Sequence, residues 1–320
     1  MILRPASLDE VNAARERIAK TVVRTPVVRL PVDTGNEQEV YLKLENLQPI
    51  GSFKLRGATN AMALASDDAI AKGVYTASAG NMAQGVAWGA RERGIPCKVI
   101  VPDQAPKAKL DAIERLGGEV IKLPFDEWWQ VMLDHSYPGM EGLFIHPFAD
   151  QGVMAGNATV ALEIFEDLDG VDAILVPYGG GGLACGIASA ARELRPQTRV
   201  YGVEVETAAP LAGAFNAGVP TTVSYTRTFV DGIGSARVSD EIWPLAQSIL
   251  AGSLVVTVEK IAAAVKLLVE RARIVAEGAG ASAVAAALDN DIDVKRIVCV
   301  VSGGNIDSEK LAIILRGEIP

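Results

Sequence analysis

Histidine and cysteine are scarce in this 320-residue chain: it has two histidines, His135 and His146, and three cysteines, Cys97, Cys185 and Cys299. No CxxC occurs, and neither histidine has a metal-ligand spacing, which argues against a zinc site and a histidine-based triad. The three thiols sit in apolar segments, so they are expected to be reduced core residues of a cytoplasmic protein. Basic clusters are missing too. A net charge of -9 and a pI near 4.9 argue against nucleic-acid or anionic-membrane partners, which need a basic face. There are no heptads, exact repeats or low-complexity tracts. There is no apolar leader either: Ser7 to Glu10 reads as a capping box opening an amphipathic helix to about Lys20, so export is not expected. Ala173 to Ala191 carries no charge and is long enough to cross a membrane. Four central glycines and Pro177 make it a poor span.

Hydrophobic residues make up 49% of the chain, and its length exceeds what one ordinary α/β core fills, so two lobes are expected. Strand and helix patterns alternate almost throughout. Val74 to Ala77, Cys97 to Val101, Glu119 to Leu123 and Leu143 to His146 read as strands, with helices near 81–93, 106–116 and 126–135 between them. They form a small parallel α/β lobe, residues 72–146, inserted in a large lobe of residues 1–71 plus 147–320. The large lobe takes strands at Val27 to Leu30, Val40 to Glu45, and near 172–177, 199–205 and 297–301. A ligand is expected in the cleft between the lobes, at the carboxyl ends of strands.

Gly179, Gly180, Gly181 and Gly182, followed by Leu183, lie between the apolar strand Ala173 to Pro177 and an alanine-rich helix to Leu194. Without a Cβ on the concave face, successive amides and the helix N-terminus can point at a dianion, which makes this a phosphate cup. No lysine follows Gly182, so the GxxxxGK[ST] nucleotide loop is not met, and only Glu204 stands near the position of a ribose-binding acid.

Three further stretches at strand ends carry chemistry. In Pro49 to Lys54, Ser52 can cap a helix whose first turn holds Lys54. The positive helix end and the flanking Phe53 and Leu55 favour the neutral amine, which makes Lys54 a Schiff-base candidate; the alternative is an exposed helix lysine. Ser78, Ala79, Gly80, Asn81 and Met82 open a helix with small residues, which suits a carboxylate, or form an ordinary capped helix start. Ser302, Gly303, Gly304 and Asn305 follow the strand Ile297 to Val301.

Together Lys43 to Gly57, Ser78 to Gly85, Gly179 to Leu183, Glu277 to Ala281 and Ser302 to Asn305 resemble, in order and spacing, the fold-type II pyridoxal-phosphate enzymes of the serine/threonine dehydratase group. The resemblance spans nearly the whole chain. It implies a two-lobed α/β fold of tryptophan synthase β type, with an open, mostly parallel sheet in each lobe, and a homodimer or higher homo-oligomer. Pyridoxal 5'-phosphate would be bound as an internal aldimine by Lys54, with Phe53 beside the ring and Asn81 on its phenolic oxygen. Gly179, Gly180, Gly181, Gly182 and Leu183 would hold the phosphate, Ser302 would meet the pyridine nitrogen, and Ser78 to Met82 would receive the substrate carboxylate.

The implied activity is that of a lyase: β-elimination from a β-hydroxy amino acid, L-threonine or L-serine first, to a 2-keto acid and ammonia, with Lys54 as general base. Met82, where relatives usually have histidine, leaves 3-phenylserine or 3-hydroxyaspartate open, and β-replacement of the cysteine-synthase kind is an alternative. Ala79 replaces a serine of serine racemases, which disfavours racemisation. Glu204 and the Ala208 carbonyl match positions where relatives hold a divalent cation, but Pro210 replaces an acidic ligand, so the resemblance does not carry the cation over. With fifteen residues after Asn305, the regulatory domain of biosynthetic threonine dehydratases is not expected.

Overall fold

The computed structural model describes residues 3–32, 38–289 and 292–320; the remaining positions of the expected large lobe lie outside the described residues. Ten strands sort into two sheets among them: β1 Val27–Arg29, β2 Glu39–Lys43, β3 Val74–Ala77, β4 Cys97–Pro102, β5 Glu119–Leu123, β6 Leu143–Phe144, β7 Ala173–Pro177, β8 Arg199–Val205, β9 Gly252–Val256 and β10 Arg296–Val300. The six-stranded sheet has the order β1-β2-β10-β7-β8-β9, and the four-stranded one β5-β4-β3-β6. Every pairing is parallel except that of β1 with β2.

Parallel strands covered on both faces read as unbroken apolar runs, as β7 and β10 do. Their side chains alternate between two cores. Ile174, Val176, Val298 and Val300 join one cluster, with the helices Gln151–Asp167 and Gly182–Leu194. Leu175, Ile297 and Cys299 join the other, with the helices Val258–Leu267 and Gly278–Asp289. The capping box is present: Ser7 Oγ accepts from the Glu10 amide at 3.3 Å, and Glu10 Oε2 from the Ser7 amide at 2.9 Å. All three cysteines are free and buried, and burial pushes the Cys97 and Cys185 thiols up to about 12.

β6 is half as long as its sequence suggests. β6 stops at Phe144 although the apolar pattern runs to His146. The chain turns there because Nδ1 of His146 accepts the amides of Phe148 at 3.2 Å and Ala149 at 2.7 Å, and a turn so closed cannot continue a ladder.

Candidate active site

Sheet order brings the candidate residues together. β2, β10 and β7 are adjacent and parallel, so their carboxyl ends share one edge, and they are followed by the Lys54, Ser302 and glycine loops. β3 and β6 are likewise parallel neighbours, followed by Ser78 to Asn81 and by His146 to Phe148. Contacts join the two sets. The Phe53 amide donates to the Ser302 carbonyl at 3.0 Å, and Ser52 forms a bridge with Gly303. Lys54 Nζ donates to the Pro147 carbonyl at 2.6 Å. Asn81 Nδ2 donates to Glu277 Oε1 at 2.7 Å while its Oδ1 accepts from Asn305 Nδ2 at 2.7 Å.

Lys54 opens the helix Lys54–Leu64, as expected, but Ser52 does not cap it: Phe53 is the N-cap residue and no side chain bonds the free amides. The Ser52 hydroxyl is buried without a hydrogen-bond partner. The pairing with Gly303 puts Ser52 in a short extended segment one residue before the cap position, so its hydroxyl cannot reach the first turn. The helix is anchored instead through Arg56, whose guanidinium binds Glu45 at 2.7 and 2.8 Å, Glu163 at 2.8 Å through both terminal nitrogens, and Thr159 Oγ1 at 3.0 Å. Lys43 completes the cluster on Glu163 and the Thr25 carbonyl, both at 2.5 Å. Two cations face two carboxylates in a closed, buried network, the form in which buried charge is tolerated. Burial lowers the Lys54 amine from 10.5 to about 8. That is a poise suited to a nucleophile or base, and the Phe53 ring lies 5.2 Å from Nζ.

The glycine loop fits a phosphate. Gly181 has φ 87°, a left-handed conformation open to glycine. A Cβ on Gly180 would stand 2.2 Å from the Phe148 ring. The helix Gly182–Leu194 follows directly with no side-chain cap, so its first amides are free to bind an anion. Leu183 turns its side chain into the core. A Cβ-free cradle, a helix N-terminus and a desolvated lysine amine together match the donor set that a phosphorylated aldehyde cofactor requires.

The Ser78 to Met82 loop is brought to Lys54 by a close helix approach: a Cβ on Gly85 would lie 3.2 Å from the Lys54 carbonyl. Ser78 Oγ accepts from the Gly80 amide at 3.2 Å, and Gly80 is the N-cap of the helix Asn81–Arg93 without a side-chain cap. Ser78, Ala79, Gly80 and Asn81 are part-exposed. Met82 differs from these four in that its side chain is buried. It is 2% exposed and packs with Val86, Val99 and Ile145 in a buried apolar cluster against the four-stranded sheet. An apolar side chain one residue into the helix turns to the sheet, leaving its backbone at the loop. Trp129 is 41% exposed and Trp88 stacks under Arg91.

Glu204 is not a free ligand. Its carboxylate accepts the Leu211 amide at 2.7 Å, the Ala212 amide at 2.8 Å and Ser253 Oγ at 2.6 Å, closing the start of the helix Pro210–Ala217. Ala208 pairs with Val205. Among the described residues no group of three or more His, Cys, Asp or Glu is placed to hold a metal, and no helix is long and apolar enough to cross a membrane.

Sequence reasoning gave no role to Glu277, His146 or the Pro147 carbonyl. Burial raises the Glu277 carboxyl to about 7, with Asp231 adding to it. The segment containing Glu277 was visible as a motif, but its bond to Asn81 joins residues 196 positions apart, and no local pattern announces that.

The sequence matches the pyridoxal-phosphate dependent enzyme family over residues 18–303. It is 39% identical to an L-threonine ammonia-lyase of Thermotoga maritima, over 94% of this chain and 76% of that one. It is 37% identical to the catabolic L-threonine dehydratase of Escherichia coli, over 96% and 95%. Among solved structures, maize serine racemase superposes with a TM-score of 0.89 at 32% identity, covering 96% of each chain. Threonine deaminase isoform 2 from Solanum lycopersicum superposes with 0.84 at 31%, covering 99% of this chain and 96% of that one. Matched over most of its length by that family and by these relatives, the chain belongs to the pyridoxal-phosphate dependent enzymes, in their fold-type II serine/threonine dehydratase group.

Proposed function

We propose that this enzyme converts L-threonine or L-serine to the 2-keto acid and ammonia. The observation that carries the reading is the Lys54 amine, lowered to about 8 by burial and standing where five strand ends meet, in a chain 39% identical to an L-threonine ammonia-lyase. When bound, pyridoxal phosphate supplies the electron sink for the pair left at Cα. The glycine amides of residues 179–182 and the amide of Leu183 bind its phosphate, and Phe53, Asn81 and Ser302 orient its ring. The Ser78 to Met82 backbone receives the substrate carboxylate, with Ser78 and Asn81 adding side-chain donors. Lys54 takes the proton from Cα and returns one to the departing β-oxygen. Water released there is regained when the enamine product hydrolyses, so the net change is an internal redistribution to keto acid and ammonium.

The same reading takes residues 1–71 with 147–320 as the cofactor lobe and 72–146 as the inserted lobe, supported by the placement of β3 to β6 in one separate sheet. It places the protein in the cytoplasm as a homo-oligomer, with three buried free thiols in support of the reducing compartment. No divalent cation is assigned, because Glu204 already holds three donors. The serine racemase neighbour favours racemisation as a second reading, yet Ala79 offers no proton donor.

Purified protein incubated with L-threonine, L-serine, 3-phenylserine and 3-hydroxyaspartate in the absence of any thiol is expected to form keto acid and ammonia in equal amounts, fastest with the first two. D-serine accumulating ahead of pyruvate would establish the racemase reading. Product formed only when a thiol is added would establish β-replacement.

A further inference from the structure

The return path from the small lobe touches both halves of the site within three residues. Pro147 presents its carbonyl to Lys54 Nζ at 2.6 Å. Phe148 backs the glycine loop: a Cβ on Gly180 would meet its ring at 2.2 Å, and one on Gly182 would meet its carbonyl oxygen at 2.8 Å. The amides of Phe148 and Ala149 both donate to His146 Nδ1, at 3.2 and 2.7 Å. His146 is itself 4% exposed. Its ring stacks on His135 at 4.4 Å between centroids and meets the Phe148 ring edge-on at 4.5 Å.

We propose that His146 is a positioning residue of the site: its Nδ1 fixes the Pro147 to Ala149 turn, and that turn holds both the Lys54 amine and the back of the glycine loop. The inference rests on reading Lys54 as the reacting amine and the glycine loop as the phosphate cup. An imidazole suits the task because in its neutral form one nitrogen accepts, here two converging amides, while the other carries the proton. Burial, the neighbouring His135 and Lys54 push His146 down to about 3, so the acceptor stays unprotonated at working pH. The hydrogen-bond network assigns the proton to Nε2.

The test compares His146→Phe, which keeps an aromatic ring but loses the acceptor, with His146→Asn, whose amide oxygen can take the same two amides. In the full chain loaded with cofactor, H146F is expected to lose about thirtyfold in kcat with KM within about twofold, because a small displacement of the amine misaligns the reaction. Its cofactor dissociation constant should rise about tenfold as the glycine loop loses its backing. H146N should recover kcat to within about threefold of wild type. A folded H146F with unchanged kcat and cofactor affinity, altered only in Tm, overturns the proposal, as does an H146N no better than H146F.

If H146F does not fold, the wild-type chain decides. With two histidines in the sequence, nitrogen-15 labelling of histidine reads His146 directly. A neutral ring protonated at Nε2 throughout about pH 5.5 to 8.5 is expected, and a ring that titrates in that range, or carries its proton on Nδ1, refutes the assignment. Failure of wild type to form keto acid from any β-hydroxy amino acid would instead sink the functional reading, leaving cofactor affinity and the histidine spectrum as independent measures of the turn.

Discussion

The Nζ atom of Lys54 donates to the carbonyl oxygen of Pro147 at 2.6 Å, so the amine at the start of a helix that follows the six-stranded sheet is held by main chain that has just left the four-stranded one. The position of the lysine therefore depends on how the two sheets are joined.

The amine itself is measurable without turnover. In cofactor-free protein, the rate of Lys54 modification by an amine-selective reagent should rise with a midpoint near pH 8, where burial has brought its value down from 10.5. Because the folded value lies below the unfolded one, the unfolded chain binds more protons between those pH values, and this group makes folding more favourable as pH rises through that window. Lys54→Ala should remove this slope and abolish keto acid formation while leaving the far-ultraviolet circular dichroism unchanged. Retained turnover in the purified variant would end the lysine assignment.

The glycine loop is predicted to reject both volume and negative charge. A side chain at Gly180 must displace the Phe148 ring from 2.2 Å, and an aspartate adds a like charge beside a phosphate. Gly180→Asp should weaken cofactor binding by at least about a hundredfold, roughly 2.7 kcal/mol, as read by absorbance titration. Unchanged affinity would move the phosphate site elsewhere.

Arg56 is expected to govern stability. Replacing it with leucine leaves Glu45 and Glu163 buried against Lys43 alone, and breaking such a cluster from one side costs about 3 to 5 kcal/mol. Urea unfolding of Arg56→Leu measures this. A loss below about 1 kcal/mol, the range of a surface pair, would show that the network relaxes or hydrates.

Met82→His should act on packing rather than on specificity. At 2% exposure an imidazole would enter the apolar core with no partner, which costs about 1 to 3 kcal/mol. The kcat/KM values for serine, threonine and 3-phenylserine should fall together. A changed ratio among the three would place residue 82 in the substrate pocket after all.

Chelation is predicted to have no effect on Tm or turnover, because the Glu204 carboxylate is taken up by Leu211, Ala212 and Ser253. A Tm that climbs with added magnesium or calcium would show binding to the folded state and would contradict this.

The alternation of strands and helices, the glycine loop, the Ser7 capping box and the candidacy of Lys54 were all legible in the chain alone. Each depends on side-chain period, on a missing Cβ or on neighbours a few residues away, and such signals are local. The neighbourhood of β2, β10 and β7, which gathers Lys54, Ser302 and the glycines, was decided by pairings between segments more than a hundred residues apart. The same holds for Ser52, which the sequence offers as a cap and the Gly303 bridge diverts. It holds again for Met82, whose loop position suggested a pocket and whose helix face points to the core, and for His146, a rare residue without a motif. A buried side chain's role is set by what surrounds it in space, and the energy of burying it belongs to the packed whole rather than to any stretch of sequence.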